Sequence, residues 1–345
     1  MLLLLLLALA TPVIEDARLI QGLLAADLND DGWPDLITQN AQGYRVYLNR
    51  KALRFELIQS IEKIGIGEPG GATLADINSD GYLDLVSGSH DSYRIAILLG
   101  NGKGTFTPAA NSPLIPRTHG KPHNHRLAVA DLNGDHYPDI ASANIQDGDL
   151  TLLWGDGKGN FRPAANSPFP LAEGIYDIHI ADINHDQIPD LVGASTAPTG
   201  PQLAVALGTG KGQFTTLAAT PATHKWRTAN LQLTDWNQDG HLDAIVGPGE
   251  RDRPMLLLGN GKGQFQQADL GWAASGRTWG FIVSGRHLIV AADHQLEIFS
   301  SKGIQKIPVR RDTWGMAVGD FDHDGKPDIA SFSAAEKSVE INPLP

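Results

Sequence analysis

The chain has 345 residues, is 41% hydrophobic, contains 38 glycines and carries a formal net charge of −12. This composition is typical of a folded, turn-rich globular protein and not of a disordered chain. The absence of cysteine excludes disulfide bonds, cysteine-ligated zinc and a thiol nucleophile. The acidic balance disfavours nucleic-acid binding.

The first ten residues, MLLLLLLALA, are entirely apolar. They are too few to cross a bilayer, which takes ~20 residues, and they end in an A-x-A cleavage pattern. We therefore predict a signal peptide at 1–10, a single mature domain at 11–345 and a secreted, periplasmic or cell-surface location. The basic residues that usually open a signal peptide are missing, so either the true start lies upstream or the segment is a buried first strand. No other stretch is predicted to span a membrane.

Residues 13–19 are predicted to form a lone strand, after which the first structural unit begins. This unit contains four short strand-like runs separated by turn residues, at 23–26, 36–37, 44–48 and 55–58. Such a series predicts one four-stranded antiparallel sheet.

An acidic nonapeptide lies between the first two strands of this unit and recurs along the chain. The copies are at 27–35, 76–84, 131–139, 182–190, 235–243 and 320–328. The last interval between copies is 85 residues, which leaves room for one unit without the loop. Residues 278–280 and 313–315 both read TWG, and this match puts a tight turn near Gly285 where the missing loop would be. The chain is therefore predicted to contain seven units.

The nonapeptide has oxygen-bearing side chains at positions 1, 3, 5 and 9, and its carboxylates would repel one another without a cation. Hard oxygen donors at this spacing resemble the start of an EF-hand loop and favour Ca²⁺. The alternative is a set of Asx-turns that need no metal. We predict up to six structural calcium ions, held by Asp27, Asn29, Asp31, Asp35; Asp76, Asn78, Asp80, Asp84; Asp131, Asn133, Asp135, Asp139; Asp182, Asn184, Asp186, Asp190; Asp235, Asn237, Asp239, Asp243; and Asp320, Asp322, Asp324, Asp328.

Charge and loop sequence refine this prediction. The ligand positions hold 19 of the 39 acidic residues, and six Ca²⁺ ions would balance the formal charge of −12. His136 and Gln187 replace the glycine at position 6 of two loops. A side chain in the left-handed conformation costs about 1 kcal/mol, so these two sites are predicted to bind more weakly. The unit near Gly285 is predicted to bind no ion.

A second motif, G-x-G-x-G-x-F, lies between the third and fourth strands of four units, at 98–106, 152–161, 206–214 and 257–265. The glycines permit a tight hairpin, and the phenylalanine is predicted to pack between neighbouring sheets. A phosphate-binding loop has similar glycines, but it is followed by a helix and this motif is not.

Seven four-stranded sheets of this size are predicted to pack radially as a β-propeller, which protects their edges. The last unit has only three strand-like runs, at 316–318, 329–331 and 339–341. We predict that residues 13–19 supply its fourth strand and close the ring.

The acidic loop and the G-x-G-x-G-x-F hairpin together resemble the FG-GAP or VCBS repeat family, over essentially the whole chain after residue 10. The resemblance implies an all-β, seven-bladed propeller of four-stranded antiparallel blades, like the head of integrin α subunits, with calcium loops on one face. Related propellers include fungal lectins and some polysaccharide lyases. The resemblance therefore implies a fold and not one function.

Five segments that precede first strands are predicted to ring the central channel on the opposite face: 121–126, 173–177, 224–227, 276–280 and 310–315. Their aromatic and cationic side chains suit a carbohydrate, especially an acidic one, or a carboxylate of a protein partner. The alternative is that the tryptophans pack between blades and the charges are solvated. The candidate ligand-binding residues are His123, His125, Tyr176, Trp226, Arg227, Arg277, Trp279, Arg311 and Trp314.

The same segments leave two chemical alternatives open. His123 and His125, with His119 or His224, would be able to ligate a transition metal. An arginine or histidine beside an aspartate at 177 or 312 would be able to serve a polysaccharide lyase, by abstracting a proton next to a uronate carboxylate. We expect an exported, calcium-stabilised binding or adhesion module for carbohydrate or an extracellular protein rather than an enzyme, and we assign no catalytic residue.

Overall fold

The alternation of short apolar runs and turns in the sequence produces a structure of β-strands. The computed structural model describes residues 13–16, 21–197, 202–221, 229–248, 254–271, 278–292, 294–310 and 313–344. Within these ranges thirty strands form seven antiparallel sheets, and no residue is helical. The predicted seven-bladed, all-β propeller is confirmed. In the described part of the chain no helix is long and apolar enough to cross a membrane. The predicted signal peptide lies outside the described residues.

Within blades 1 to 6 the strands follow chain order, and from blade 2 to blade 7 the first strand of each blade packs against the first strand of the next blade around the axis. Strand β1 (Ile14–Glu15) belongs to the last blade. Blades 1 to 3 consist of β2 (Gly22–Ala26), β3 (Asp35–Asn40), β4 (Gly43–Asn49) and β5 (Phe55–Glu62); β6 (Pro69–Ala75), β7 (Asp84–Ser89), β8 (Ile95–Gly100) and β9 (Phe106–Pro108); and β10 (Leu127–Ala130), β11 (Asp139–Asn144), β12 (Asp149–Gly155) and β13 (Phe161–Pro163), with β14 (Phe169–Pro170) also paired to β12.

Blades 4 to 6 have the same order, and β19 is an additional partner of β17. Their strands are β15 (Ile175–Ala181), β16 (Asp190–Ser195), β17 (Gln202–Gly210), β18 (Gln213–Thr216) and β19 (Thr220–Pro221); β20 (Ala229–Thr234), β21 (Asp243–Pro248), β22 (Met255–Gly259) and β23 (Phe265–Ala268); and β24 (Thr278–Ser284), β25 (His287–Ala292), β26 (Gln295–Ser300) and β27 (Gly303–Pro308).

Blade 6 is the unit without an acidic loop. Its first two strands, β24 and β25, are joined by a turn at Gly285 and Arg286, and Gly285 has a φ of +54°. The turn is in the place predicted from the TWG match. The sheet therefore keeps its four strands without the acidic nonapeptide.

The ring is closed by the N-terminal strand. Blade 7 consists of β28 (Thr313–Gly319), β29 (Asp328–Ser333), β30 (Ser338–Pro343) and, outermost, β1. Strand β1 pairs antiparallel with β30, so that Ile14 lies opposite Val339. The predicted closure is confirmed for the described part of segment 13–19.

The core lies between neighbouring blades. In the seam between blades 1 and 2, Tyr44 and Val46 pack with Leu85 and Phe106, and all four side chains are buried. The Tyr44 hydroxyl lies 2.5 Å from Ser87 Oγ across this seam. Phe106 belongs to the G-x-G-x-G-x-F hairpin, so its predicted position between sheets is confirmed.

Candidate functional site

The acidic loops have a defined shape that comes from hydrogen bonds within each loop. In the first loop Asp27 Oδ1 accepts N–H bonds from Asn29 and Asp31, and Asp27 Oδ2 accepts one from Gly32 at 2.7 Å. The bond from the N–H of position 6 to the aspartate of position 1 recurs in all six loops. These are Asx-type turns, and they hold the carboxylates close together.

The last aspartate of the loop joins it to the hairpin of the same blade. Asp35 is fully buried, and it accepts N–H bonds from Leu28 at 3.0 Å and from Asn49 at 2.8 Å. Burial raises the pKa of Asp35 to about 6, because desolvation outweighs these two bonds. Equivalent pairs of bonds are made by Asp84, Asp139, Asp190 and Asp243.

The two repeated motifs pack against each other at one end of the blade. The ring of Tyr82, at position 7 of its loop, lies so close to Gly102 that a Cβ there would be 2.1 Å from it. Tyr137 lies over Gly157 in the same way, at 2.2 Å. The hairpin glycine is therefore required by close contact with the loop. Acidic loops and hairpins share one face of the propeller, as predicted, and we call it the loop face.

Position 6 of the loop requires a left-handed backbone whichever residue occupies it. Gly32 has a φ of +84°, while His136 and Gln187 have φ values of +69° and +67°. The strain predicted for these two residues is therefore present in the fold.

The loop of blade 7 best shows whether the residues fit a cation. Carboxylate oxygens of Asp320, Asp322 and Asp328 lie within 4.8 Å of one another. Asp320 Oδ1 is buried and has no hydrogen-bond partner. Burial raises the pKa of Asp328 to about 6, and the charge of Asp322 adds to this effect. Crowded carboxylates with an unbonded buried oxygen fit a hard divalent cation such as Ca²⁺.

The opposite face contains the segments that precede the first strands, and we call it the channel rim. Trp314, at the start of β28, is 47% exposed there. His125 stacks on Tyr176, with ring centroids 4.4 Å apart and planes 15° apart. The structure therefore brings predicted residues of blades 3 and 4 together. Outside the described residues, or without a described side chain, are Trp226, Arg227, Arg277, Trp279 and Arg311.

A histidine that the sequence analysis missed joins this rim. His90 follows β7, and its ring centroid lies 4.3 Å from that of His123 and 5.1 Å from that of His125. The connection after the second strand of a blade ends on the same face as the segment before the first strand, so topology was the available signal. Among the described residues His119 is in no metal-capable group, and His224 lies outside them.

Two of the rim histidines are shifted towards their neutral form. Burial lowers the pKa of His125 to about 3, and the neighbouring His123 and His90 add to this effect. The pKa of His123 is lowered chiefly by burial and then by His90. Neutral imidazoles keep a lone pair on one ring nitrogen, so His123 and His125 present acceptors rather than cations.

Asp177 lies at the contact between blades 4 and 5. It is buried, and it accepts N–H bonds from Ile178 and from Leu231, both at 2.9 Å. Leu231 belongs to the next blade, so the carboxylate fastens blade 4 to blade 5. Arg126 Nε and His179 Nε2 each lie 3.9 Å from Asp177 Oδ1, so this carboxylate has the arginine and histidine neighbours that the lyase alternative names. Residue 312 lies outside the described ranges.

Fold and loops together define a class of protein, the β-propeller built from acidic-loop repeats. The FG-GAP-like repeat model matches residues 27–87, 76–142, 131–193 and 186–246, which together span more than half of the chain. The chain belongs to this family. No curated protein matches it significantly in sequence.

Solved structures of similar shape have different binding roles. An Agrocybe aegerita lectin, described as recognising non-reducing terminal N-acetylglucosamine, is 19% identical with a TM-score of 0.56, covering 85% of this chain and 80% of its own. BBS1N, solved in complex with ARL6DN, is 13% identical with a TM-score of 0.64, covering 99% and 97%. An inactive virginiamycin B lyase from Staphylococcus aureus, solved with quinupristin, is 13% identical with a TM-score of 0.55, covering 94% and 99%. At these identities the likeness shows the fold alone.

Proposed function

We propose that the chain is an exported binding or adhesion module whose channel rim recognises carbohydrate. The observation that carries this proposal is the aromatic character of the rim, where Trp314 is 47% exposed and Tyr176 stacks on His125. Aromatic rings at a solvent-accessible rim suit the apolar faces of sugar rings. The Agrocybe aegerita lectin supports the proposal as an example of a similar propeller that binds a sugar.

A glycan array, probed with the protein in calcium-containing buffer, tests this function. We expect binding to at least one glycan class, and we expect Trp314→Ala to abolish it without lowering the melting temperature. Leu57→Ala is the control, because Leu57 is 46% exposed on the outermost strand of blade 1, away from the rim. Loss of binding in both variants, or binding unaffected by Trp314→Ala, would place recognition elsewhere.

Two other results of the array would replace the proposal. No glycan binding at all would favour an extracellular protein partner, the other ligand class that fits this rim. Turnover of a bound polysaccharide into products with new ultraviolet-absorbing unsaturated ends would favour the lyase alternative.

Calcium is the second part of the proposal. Up to six Ca²⁺ ions would lie in the acidic loops, held by the side chains at positions 1, 3, 5 and 9. Crowding of Asp320, Asp322 and Asp328 and the unbonded Asp320 Oδ1 support this assignment. An ion there would replace the electrostatic repulsion with attraction and would stabilise the blades in a chain without disulfides.

Export is the third part, and it depends on the apolar segment at 1–10. Expression of the full chain in a bacterial host, followed by fractionation and N-terminal sequencing, tests it. We expect a mature protein that begins at Thr11 outside the cytoplasm. Retention of Met1 on a cytoplasmic product would refute export.

A further inference from the structure

Three histidines from two blades point their ring nitrogens at one small space on the channel rim. His123 Nε2 and His125 Nε2 are 3.0 Å apart. One ligand nitrogen from each of His90, His123 and His125 lies within 4.8 Å of the others. Two nitrogens bound to one zinc ion at 2.0–2.1 Å are about 2.9 Å apart at a right angle and about 3.3 Å apart at the tetrahedral angle. The observed pair is already at a chelating separation.

The segment that carries two of these histidines is held rigidly. Asn124, between them, is buried, and its Nδ2 donates to Ser142 Oγ at 2.7 Å and to Ala143 O at 2.8 Å. In an extended segment alternate side chains point to opposite sides, so an inward Asn124 directs His123 and His125 outward together. The chelating pair is therefore preorganised by the fold.

Close packing also brings blade 2 against this segment. A Cβ on Gly71 would lie 2.2 Å from His125 O, so only glycine permits the observed approach of the two backbones. At the same end of this strand pair, the His90 N–H donates to Glu68 O at 2.8 Å. These contacts set the position of His90 relative to the chelating pair.

A carboxylate orients the third ring. His90 Nδ1 lies 2.7 Å from Asp91 Oδ1, so a proton on Nδ1 is held by Asp91 and the lone pair of Nε2 is left for another partner. A carboxylate behind a ligating imidazole is the usual outer-shell arrangement of histidine metal sites. Glu68 offers a further oxygen beside His90 and Asp91.

We propose that His90, His123 and His125 bind one divalent transition-metal ion, of the class of Zn²⁺, Co²⁺ or Cu²⁺, with at least one coordination position open. Imidazole nitrogens favour these ions over Ca²⁺ and Mg²⁺, which prefer oxygen ligands. The His90 side chain is 31% exposed, so the open position is accessible to water or to an oxygen of a rim ligand. This inference does not depend on carbohydrate recognition.

A second pair of neighbouring histidines lies on the loop face and serves as a comparison for the rim cluster. His185 Nε2 and His241 Nδ1 are 3.1 Å apart, but no third metal-capable side chain joins them among the described residues. The rim cluster differs from this pair by its third nitrogen and by the carboxylate behind it. We therefore expect tight binding at the rim and only weak binding at the pair.

The test uses untagged, metal-stripped full-length protein in excess Ca²⁺, which occupies the acidic loops. Zn²⁺ is titrated in competition with a chromophoric chelator, and one tight site per chain is expected. His90→Ala, His123→Ala and His125→Ala should each weaken binding by more than about 100-fold, and Asp91→Asn by about 10-fold. His119→Ala is the matched control, because His119 is an exposed neighbour outside the cluster, and it should change nothing.

A second measurement separates loss of a ligand from loss of the fold. Metal-free melting temperatures show whether each variant folds, and His90→Ala is the decisive variant because it leaves the rigid segment at 123–125 intact. Co²⁺ should give a ligand-field spectrum that changes in this variant. Absence of a tight zinc site, or a tight site that persists unchanged in all three alanine variants, would overturn the inference.

Discussion

A buried ion pair near the start of the chain links the closing strand to blade 1. The Asp16 carboxylate bonds Arg45 Nη1, and its other oxygen accepts the Tyr47 hydroxyl at 3.1 Å. The Asp16 N–H donates to Lys337 O at 2.7 Å, next to the pairing of β1 with β30. Asp16 therefore connects the closing strand of blade 7 to blade 1.

The loss of stability expected on removal of the Asp16 carboxylate follows from the burial of the ion pair. The side chain of Asp16 is 1% exposed and that of Arg45 is 16% exposed. Removal of one partner of a buried pair costs about 3–5 kcal/mol, and the partial exposure of Arg45 favours the lower end. The unfolding entropy of a chain of this length is about 0.7 kcal/mol/K. Asp16→Ala should therefore lower the Tm by about 4 °C.

Differential scanning calorimetry of the purified protein measures this shift. Glu15→Ala is the control, since Glu15 is on the same strand but points to solvent, and its effect should stay below about 1 °C. Deletion of residues 11–20 removes the whole strand and should lower the Tm more than either substitution. Equal Tm values for the two point variants would refute the role given to Asp16.

Three further perturbations test other parts of the structure. A calcium chelator should lower the Tm of the wild-type protein, and an unchanged Tm would contradict structural calcium. Asp324→Asn should remove one bound ion, whereas Asp269→Asn, at an exposed position outside the loops, should remove none. His136→Gly should raise the Tm by about 1–2 °C, since it relieves about 1 kcal/mol of left-handed strain, and a lower Tm would contradict this account. Gly71→Ala should destabilise the fold by about 3 kcal/mol, because the new Cβ would lie 2.2 Å from the His125 carbonyl oxygen. Gly22→Ala is the control, because its Cβ would meet mainly the flexible Gln39 side chain. Equal losses of stability in denaturant unfolding would rule out the close approach of Gly71 to His125.

The calcium ligands could be predicted from the sequence more completely than the residues of the channel rim. Every acidic loop is one continuous segment, so its oxygen pattern was readable from spacing alone. The rim is assembled from separate segments, so the H-x-H pattern in the sequence indicated His123 and His125 but not His90. Residues 90 and 123 belong to different blades, and no local pattern relates them.

Residue order alone determined the seven units, the position of the degenerate blade at Gly285 and the closing strand. The units and the turn at Gly285 depend on short-range backbone geometry, which a repeated pattern of apolar runs, glycines and Asx-turns encodes locally. The closing strand followed from the last unit, which has one strand-like run fewer than the others. Only the tertiary structure decided that Asp16 meets Arg45, that Asp35 lies under the Asn49 N–H, and that three imidazoles share one space. The contact of Asp16 with Arg45 and the histidine cluster depend on how one blade packs on the next, which is set by side-chain packing across the ring. The contact of Asp35 with Asn49 depends on how two strands of blade 1 pair.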